Sequence, residues 1–396
     1  MLTKPFITTL FQGAYIQRWN DKLRPMEIIE IDKHAHKLII AFLIGRYEER
    51  HAPISWNALI EGSVFEYLEK IVLTDIKAPV LSAIRKDGRQ YKKLMSFVCE
   101  QLEGTMLGVD PSLPSRISSY LRQEDDTLEK RILSAASAMA SAWEFDIIER
   151  TDPHGYEMMH IRRALSERLD SYRDLVGVQS ALASEHMQRF INIVGQLRFQ
   201  TRWAHVHRIP KTSVLMHSYF VAVISYFLSL QMNASARRTY NNTFAGLFHD
   251  LAEVLTRDII APVKRSTEGL RDLIGEYEKE QMEKIVYPLL PEFLHSDIRR
   301  FTSVEPMNSF VVDGAIKYAT VAHINESYND DRYDVLDGEI VKAADELSAY
   351  IESMEAITNG CASEKFTDAK SLIEEKYRGT VIGGVDLGTL YEDLAR

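Results

Sequence analysis

The chain has 396 residues, of which 45% are hydrophobic and 26% charged, a composition typical of a folded protein with two or three domains. Lysine and arginine number 47 against 57 aspartate and glutamate residues, and this net charge of −10 excludes a chain-wide surface for nucleic acids or anionic membranes. With only Cys99 and Cys361, neither a disulfide framework nor a cysteine-rich zinc module can form.

The sequence gives no indication of a membrane protein. No apolar run is predicted to reach the roughly 18–20 residues of a membrane span. The first residues, MLTKPFITTLFQG, lack the apolar core of a signal peptide. We therefore expect a soluble, cytoplasmic protein that makes no membrane contact.

Most of the chain shows the three- and four-residue spacing of apolar residues that is typical of amphipathic helices. This spacing predicts helices over Ile132–Ile148, Thr243–Leu255, Leu270–Val286 and Ile340–Ile357. Clusters of Pro, Gly, Asn and Asp predict breaks at Asp110–Pro114, Thr151–Gly155, Tyr287–Pro291 and Tyr328–Asp331. Alternating stretches long enough for a sheet are scarce, so the sequence predicts an all-α fold.

Four short blocks of the first half recur in the second half in the same order. The offset is 183 or 184 positions for the first three blocks and 208 for the fourth. The pairs are Gln17-Arg18-Trp19 with Thr201-Arg202-Trp203, His34 with His217, Thr74–Val80 with Arg257–Val263, and Ile132–Ser137 with Ile340–Asp345. We interpret the chain as two tandem copies of one helical domain, residues 1–180 and 181–396, which form an internal pseudo-dimer.

The second copy contains residues suited to metal-assisted chemistry. His249 and Asp250 offer an imidazole and a carboxylate next to each other on a predicted helix. Glu253 follows four residues after His249 on the same helix face, where it could take a proton from water without being a ligand. His217 heads one apolar helix, and Asp345 lies inside another, where a buried charge needs a partner.

The ordered set of His217, His249-Asp250 and Asp345 resembles the HD superfamily of metal-dependent phosphohydrolases. The similarity is greatest to its YfbR-like 5′-deoxynucleotidases and covers about residues 190–360. The matching blocks are Arg202-Trp203, His217-Ser218, His249–Asp258, Pro262-Val263-Lys264 and Val341–Tyr350. The resemblance implies a fold of HD-type helical domains and an enzyme that cleaves phosphate esters.

By this resemblance, His217, His249, Asp250 and Asp345 bind one divalent metal. Two imidazoles and two carboxylates suit Co²⁺, Mn²⁺ or Zn²⁺ better than Mg²⁺, which prefers oxygen ligands. In such a site the metal lowers the pKa of water and polarises the phosphorus.

The resemblance also assigns roles around the metal. Glu253 is implied to activate the attacking water or protonate the leaving 5′-oxygen. Arg202 is implied to grip the phosphate, Trp203 to pack against the sugar, and Asp258 to hydrogen-bond the sugar. The chain departs from the family at Ile260-Ala261, where a Pro-Thr pair is usual, and this removes a hydroxyl near the substrate.

The first copy lacks this ligand set. The positions that align with His249, Asp250, Glu253 and Asp345 hold Glu66, Tyr67, Lys70 and Ser137. What remains of the pattern is His34, with Arg18, Trp19 and Asp75. We predict that this copy binds no catalytic metal and serves as a scaffold, a dimerising face or a nucleotide sensor.

The leading hypothesis is a phosphohydrolase that removes the 5′-phosphate of a (deoxy)nucleoside monophosphate. An HD phosphodiesterase or triphosphohydrolase is the alternative among enzymes, although it needs more cations than Arg202, Lys264 and Arg265 supply. A nucleotide-sensing protein without turnover is a third reading, and the presence of Glu253 favours turnover over it. A homo-oligomer is also compatible with the sequence. The pair His205/His207 and His36 are interpreted as surface or packing residues, and a second metal at His323 remains a minority alternative.

Overall fold

Helices make up most of the part of the chain that the structure describes. The structure is a computed structural model, and it describes residues 2–123, 125–259, 263, 266–303 and 307–396. The helices of the first half, numbered within these residues, are α1 (Lys4–Phe11), α2 (Glu30–Glu48), α3 (Trp56–Leu73), α4 (Ala78–Lys86), α5 (Gly88–Leu107), α6 (Leu113–Arg122), α7 (Leu128–Thr151), α8 (Met158–Asp170) and α9 (Val176–Ala183).

The second half continues in the same helical manner. Its helices are α10 (Glu185–Gln196), α11 (Val214–Gln231), α12 (Ala236–Phe248), α13 (Glu253–Thr256), α14 (Leu270–Gln281), α15 (His295–Thr302), α16 (Val321–Ser327), α17 (Gly338–Thr358), α18 (Glu364–Tyr377) and α19 (Leu387–Ala395). This confirms the predicted all-α class.

Two small antiparallel sheets accompany the helices of the second half. Strands β1 (Asn308–Val312), β2 (Ala315–Ala319) and β3 (Leu336–Asp337) form one sheet in the order β2-β1-β3. In it Asn308 pairs with Ala319 on one side and with Asp337 on the other. Strands β4 (Val381–Ile382) and β5 (Val385–Asp386) form the other sheet. Strand β3 leads directly into α17, so the first sheet holds the start of that helix.

Three of the four predicted helices are confirmed. Ile132–Ile148 lies within α7, and Ile340–Ile357 lies within α17. Leu270–Val286 is formed by α14 and a π-helical turn at Met282–Val286.

The prediction of one helix over Thr243–Leu255 is wrong, because α12 ends at Phe248. After it the backbone tightens into turns with hydrogen bonds three residues apart, from Leu251 N to Phe248 O and from Glu253 N to Asp250 O. His249 and Asp250 therefore lie at the end of α12 and not on its continuous surface. The side chains of both residues nevertheless face one centre, since His249 Nε2 and Asp250 Oδ2 lie 3.1 Å apart and Asp250 Oδ2 lies 3.6 Å from Nε2 of His217.

Helix α11 lies in the core, where it packs against α2, α12 and α17. Within the described residues it is the one helix long and apolar enough to cross a membrane by length and composition alone. The sequence prediction that no run approaches a span is therefore wrong for Val214–Gln231. However, 89% of this segment is buried inside the protein, as is usual for a core helix.

The two halves share one hydrophobic core. Phe42 of α2 lies 4.9 Å from Phe244 and 5.2 Å from Phe248, measured between ring centroids. Phe6 of α1 meets Phe227 at 4.9 Å in the same way. The predicted boundary after residue 180 falls inside α9, and the division into two domains remains a prediction.

The halves carry matching local contacts at the offsets seen in the sequence. Trp19 and Trp203 both have positive φ angles, 54° and 58°. The indole Nε1 of Trp19 donates to Glu144 at 2.9 Å, and that of Trp203 donates to Glu352 at 2.9 Å. Each glutamate lies on the long helix, α7 or α17, that ends its half of the repeat pattern.

Candidate metal centre

The first imidazole of the centre is fixed at the start of α11. His217 is the fourth residue of this helix, is fully buried, and bonds through its backbone N–H to the carbonyl of Ser213 at 3.1 Å. Its Nδ1 lies 2.9 Å from the hydroxyl of Ser348 on α17. This contact turns the other ring nitrogen, Nε2, toward the end of α12. Within the described residues that Nε2 has no hydrogen-bond partner.

The second imidazole stands at the end of α12. Nδ1 of His249 donates to the carbonyl of Gly246 at 2.8 Å, so that the lone pair is on Nε2. A side chain at Gly246 would approach the backbone of Ala222 on α11 to 3.1 Å. This glycine therefore permits the close approach of α11 and α12 that brings the rings of His217 and His249 to 5.3 Å.

Two carboxylates complete the group. Asp345 Oδ1 lies 3.0 Å from Nε2 of His217 and 4.0 Å from Nε2 of His249. Asp250 Oδ2 lies 3.6 Å and 3.1 Å from the same two nitrogens. Candidate ligand atoms of His217, His249 and Asp345 all lie within 4.8 Å of one another. The structure thus brings together the four residues that the sequence suggested as ligands.

The electrostatics of the group suit a cation. Burial acts to raise the pKa of Asp345, but His217 and Lys342 hold it well below its usual value. Burial likewise opposes ionisation of Asp250, whose pKa is nevertheless lowered, chiefly by His249. Both carboxylates therefore stay ionised at neutral pH. Unpartnered imidazole nitrogens facing ionised carboxylates are the donor set that divalent transition metals prefer.

Three further residues support the centre, and the sequence analysis had assigned them no role. Ser348 orients His217, while Lys342 Nζ donates to the outer oxygen of Asp345 at 2.7 Å. Both lie three residues from Asp345 on α17, and this helical spacing is the signal that could have identified them. Glu352 lies one turn beyond Ser348 and accepts hydrogen bonds from Arg202 and Trp203.

A cavity of about 320 Å³ opens in front of the group. His249, Asp250, Asp345 and the buried Glu253 line this cavity, together with residues of α14. The residues of α14 that line it are Arg271, Ile274, Gly275 and Glu278. Arg271 is exposed and forms no ion pair within the described part of the chain. No sequence motif pointed to it, because it is one of several charged residues on an exposed helix.

The predicted substrate contacts lie at the edge of the centre. Arg202 donates from Nε to Glu352 at 3.1 Å, and its Nη1 is 3.8 Å from Asp250 Oδ2. Burial acts to lower the pKa of Arg202, but Glu352, Asp250 and Asp258 raise it, so this side chain remains charged. Trp203 shares the carboxylate of Glu352 and does not line the cavity. Arg202 thus lies beside Asp250, one of the four candidate ligands.

The other histidines that the sequence analysis considered do not belong to the ligand group, which consists of His217, His249, Asp250 and Asp345. His205, His207 and His323 are exposed, while His36 is buried and bonds through Nε2 to the carbonyl of Ile191 at 2.9 Å. Three features named in the sequence lie outside the described residues, namely Ile260-Ala261, Pro262 and Lys264-Arg265.

Comparison with known proteins assigns the class. Residues 194–374 match the family model described as HD domain, and all four converging residues lie within this segment. Residues 194–374 of the second half are therefore similar to an HD domain, as the sequence predicted.

Individual relatives match over a similar length. A 5′-deoxynucleotidase of Pectobacterium atrosepticum is 25% identical over 193 residues, which are 48% of this chain and 82% of that protein. A 5′-deoxynucleotidase of Yersinia pestis is 23% identical over 192 residues, which are 48% of this chain and 83% of the relative.

Proposed function

We propose that the second half is a metal-dependent phosphohydrolase that removes the 5′-phosphate of a (deoxy)nucleoside monophosphate. The observation that carries this proposal is the convergence of two imidazole nitrogens and two ionised carboxylates beside a cavity that three of these four residues line. His217, His249, Asp250 and Asp345 would hold the cation. The names of the relatives support a nucleotide as the substrate.

The residues of the chain divide the chemistry between them. When bound, a Co²⁺, Mn²⁺ or Zn²⁺ ion supplies the Lewis acid that polarises a phosphoryl oxygen. Glu253 lies on the same cavity wall as His249 and Asp250, where its carboxylate can accept a proton from the attacking water. The same carboxyl group can return that proton to the leaving 5′-oxygen.

The phosphate needs cationic partners, and the cavity provides two. Lys342 and Arg271 both line it, with Lys342 beside Asp345 and Arg271 on α14. We propose that Arg271 binds the phosphate, since a guanidinium can bind two phosphate oxygens at once. Arg202 lies beside Asp250, and Glu352 holds its orientation. Contacts of Trp203 and Asp258 with the sugar remain part of the proposal.

Hydrolysis of a nucleoside triphosphate is the second candidate function. Such substrates carry more negative charge, and Arg271 adds a cation that the sequence had not indicated. A cavity of about 320 Å³ is at the small end of ligand pockets, which favours the smaller monophosphate.

We propose that the first half is a metal-free scaffold and a degenerate copy of the second. Two buried lysine side chains support this proposal. Lys33 Nζ donates at 2.7 Å to Ser137, the residue aligned with Asp345, and Lys37 pairs with Glu66, which is aligned with His249. Burial lowers the pKa of Lys33 to about 7, so the opposing charge comes mainly from Lys37, whose ammonium group occupies the place of a cation beside Glu66.

The pairing of the two copies as a pseudo-dimer is a related proposal. It is supported by α2 and α11, the equivalent helices of the two halves, which pack against each other in the core. The matching contacts of Trp19 with Glu144 and of Trp203 with Glu352 support a common origin.

Phosphate release from a panel of nucleotides tests the proposed function. The full-length chain, treated with chelator and then supplied with Mn²⁺ or Co²⁺, should release phosphate from 5′-deoxynucleoside monophosphates. Release from triphosphates alone would favour the second candidate. If the chain binds nucleotides without releasing phosphate, and Glu253→Ala binds them equally well, the result would contradict an enzyme and favour a sensor.

A further inference from the structure

One carboxylate of the first half reaches the helix start that carries His217. Asp32 lies in the first turn of α2 and is 4% exposed. Its Oδ1 accepts a hydrogen bond from the hydroxyl of Ser213 at 2.5 Å. Ser213 is the N-cap residue of α11 and belongs to the second half. The contact therefore crosses between the two halves, close to the candidate metal centre.

The hydroxyl of Ser213 is a donor and an acceptor at once. It donates to Asp32, and it accepts the backbone N–H of Met216 at 2.8 Å. A hydroxyl group has one proton, so a fixed acceptor on one side leaves its lone pairs for the helix N–H on the other. Asp32 thus holds the cap in the orientation that satisfies the first turn of α11.

This cap is linked directly to the first ligand. The carbonyl of Ser213 accepts the backbone N–H of His217 at 3.1 Å, so the cap and the ligand belong to the same helical turn. Ser348 fixes the ring of His217 from the opposite side. The position of Nε2 therefore depends on two contacts, one from α17 and one that leads back to α2.

The first half has no equivalent of this contact at the start of its own helix α2. In the first half the N-cap of α2 is Ile29, whose side chain has no oxygen and makes no cap hydrogen bond. The helix that carries His34 therefore has no counterpart of the Ser213 cap. A contact kept only toward the half that holds the ligand group indicates a role in that group rather than in general packing.

We propose that Asp32 is a positioning residue for the metal centre, which acts through Ser213 on His217. Through it the first half sets the metal affinity of the second. This inference rests on the proposed function, because it requires that His217 binds a metal.

Metal binding by the full-length chain tests the inference, with Co²⁺ as the probe and its absorption as the readout. Asp32→Ala and Ser213→Ala should each weaken Co²⁺ binding about tenfold, the scale found when residues that support a ligand are removed. Asp32→Asn keeps an acceptor and Ser213→Thr keeps a hydroxyl, so both should restore the affinity to within about twofold of the original chain.

The matched control is Ser55→Ala. Ser55 caps α3 by accepting the N–H of Ala58, in the first half and at an exposed position. Its loss should lower the melting temperature without changing Co²⁺ affinity. A folded Asp32→Ala chain that binds Co²⁺ like the original would overturn the inference. If Asp32→Ala does not fold, equal affinity of Ser213→Ala and Ser213→Thr would overturn it instead. If the original chain binds no Co²⁺, the proposed function itself fails and the inference fails with it.

Discussion

The hydroxyl of Ser348 lies 2.9 Å from Nδ1 of His217 and joins two helices at the candidate metal centre. Ser348 lies on α17, one turn after Asp345. The same helix therefore provides a ligand and the residue that orients another ligand. This arrangement makes α17 the element on which the geometry of the group most depends.

Replacing Ser348 by alanine should weaken metal binding about 10- to 100-fold, because the ring of His217 loses the partner that fixes its orientation. Titration with Mn²⁺ or Co²⁺ measures the change. Ser353→Ala is the matched control, since Ser353 is also buried on α17 but bonds to the carbonyl of Ala349 in its own helix. Equal affinities of the two variants would contradict this role.

Glu253→Gln should lower kcat for nucleotide hydrolysis about 10²- to 10⁴-fold, the usual contribution of a general base or acid. The amide keeps the size of the side chain but cannot accept the proton of water. Metal affinity should stay close to that of the original chain, because Glu253 is not a ligand. A variant that retains full kcat would show that the proton goes elsewhere.

Arg271→Ala should raise KM for the nucleotide about tenfold by removing a charge-assisted contact with the phosphate. The effect should exceed that on metal affinity, since Arg271 lines the cavity but is not one of the candidate metal ligands. Lys279→Ala removes an exposed charge from the same helix, outside the cavity lining, and serves as the control. Steady-state kinetics of both variants decide whether Arg271 binds substrate.

The buried His36 should make stability depend on pH. Burial, together with the nearby Arg198, lowers the pKa of His36 to about 3. In the unfolded chain the imidazole of His36 takes up a proton below about pH 6.5, whereas in the folded chain it stays neutral at that pH. This residue therefore stabilises the fold least at low pH, and its contribution falls by about 1.4 kcal/mol per unit as the pH drops from 6.5 toward 3.

Urea unfolding at several pH values checks this expectation. His36→Gln can still donate to the carbonyl of Ile191 but does not titrate, so its stability should fall less between pH 7 and pH 5 than that of the original chain. His160→Gln, at an exposed position, should leave the pH dependence unchanged. Equal slopes in all three chains would contradict the prediction.

The ion pair of the buried Lys37 with the half-buried Glu66 should matter to folding. Lys37→Met leaves the carboxylate of Glu66 without its ammonium partner and should lower the free energy of unfolding by about 3 kcal/mol. Lys37→Met combined with Glu66→Gln removes both charges and should recover part of this loss. Denaturant unfolding of the single and double variants measures the difference, and a double variant no more stable than the single one would be contrary evidence.

The ligand group could be predicted from sequence because its chemistry restricts each position to a few residue types. His217, His249, Asp250 and Asp345 were recognisable by type and order, and the structure brings them together. The helix break after Phe248 could not be predicted, because apolar residues continue at helical spacing beyond it. The length of α11 was underestimated since serines and a histidine interrupt its apolar run.

Other parts of the site depend on distance in space and have no local signature. Asp32 lies 181 positions before Ser213, and only the fold brings the two side chains together. Arg271 is one of several charged residues on an exposed helix, and its position at the cavity is decided by how α14 packs. Such residues become visible when the helices are placed relative to one another.

The insertion of Phe42 among aromatic rings of the opposite half has an evolutionary consequence. Deletion of the first half would expose the rings of Phe244 and Phe248 to water. Selection for a folded second half therefore also preserves the first half. Substitutions in the first half should accordingly be accepted mainly when matching changes occur across the shared interior.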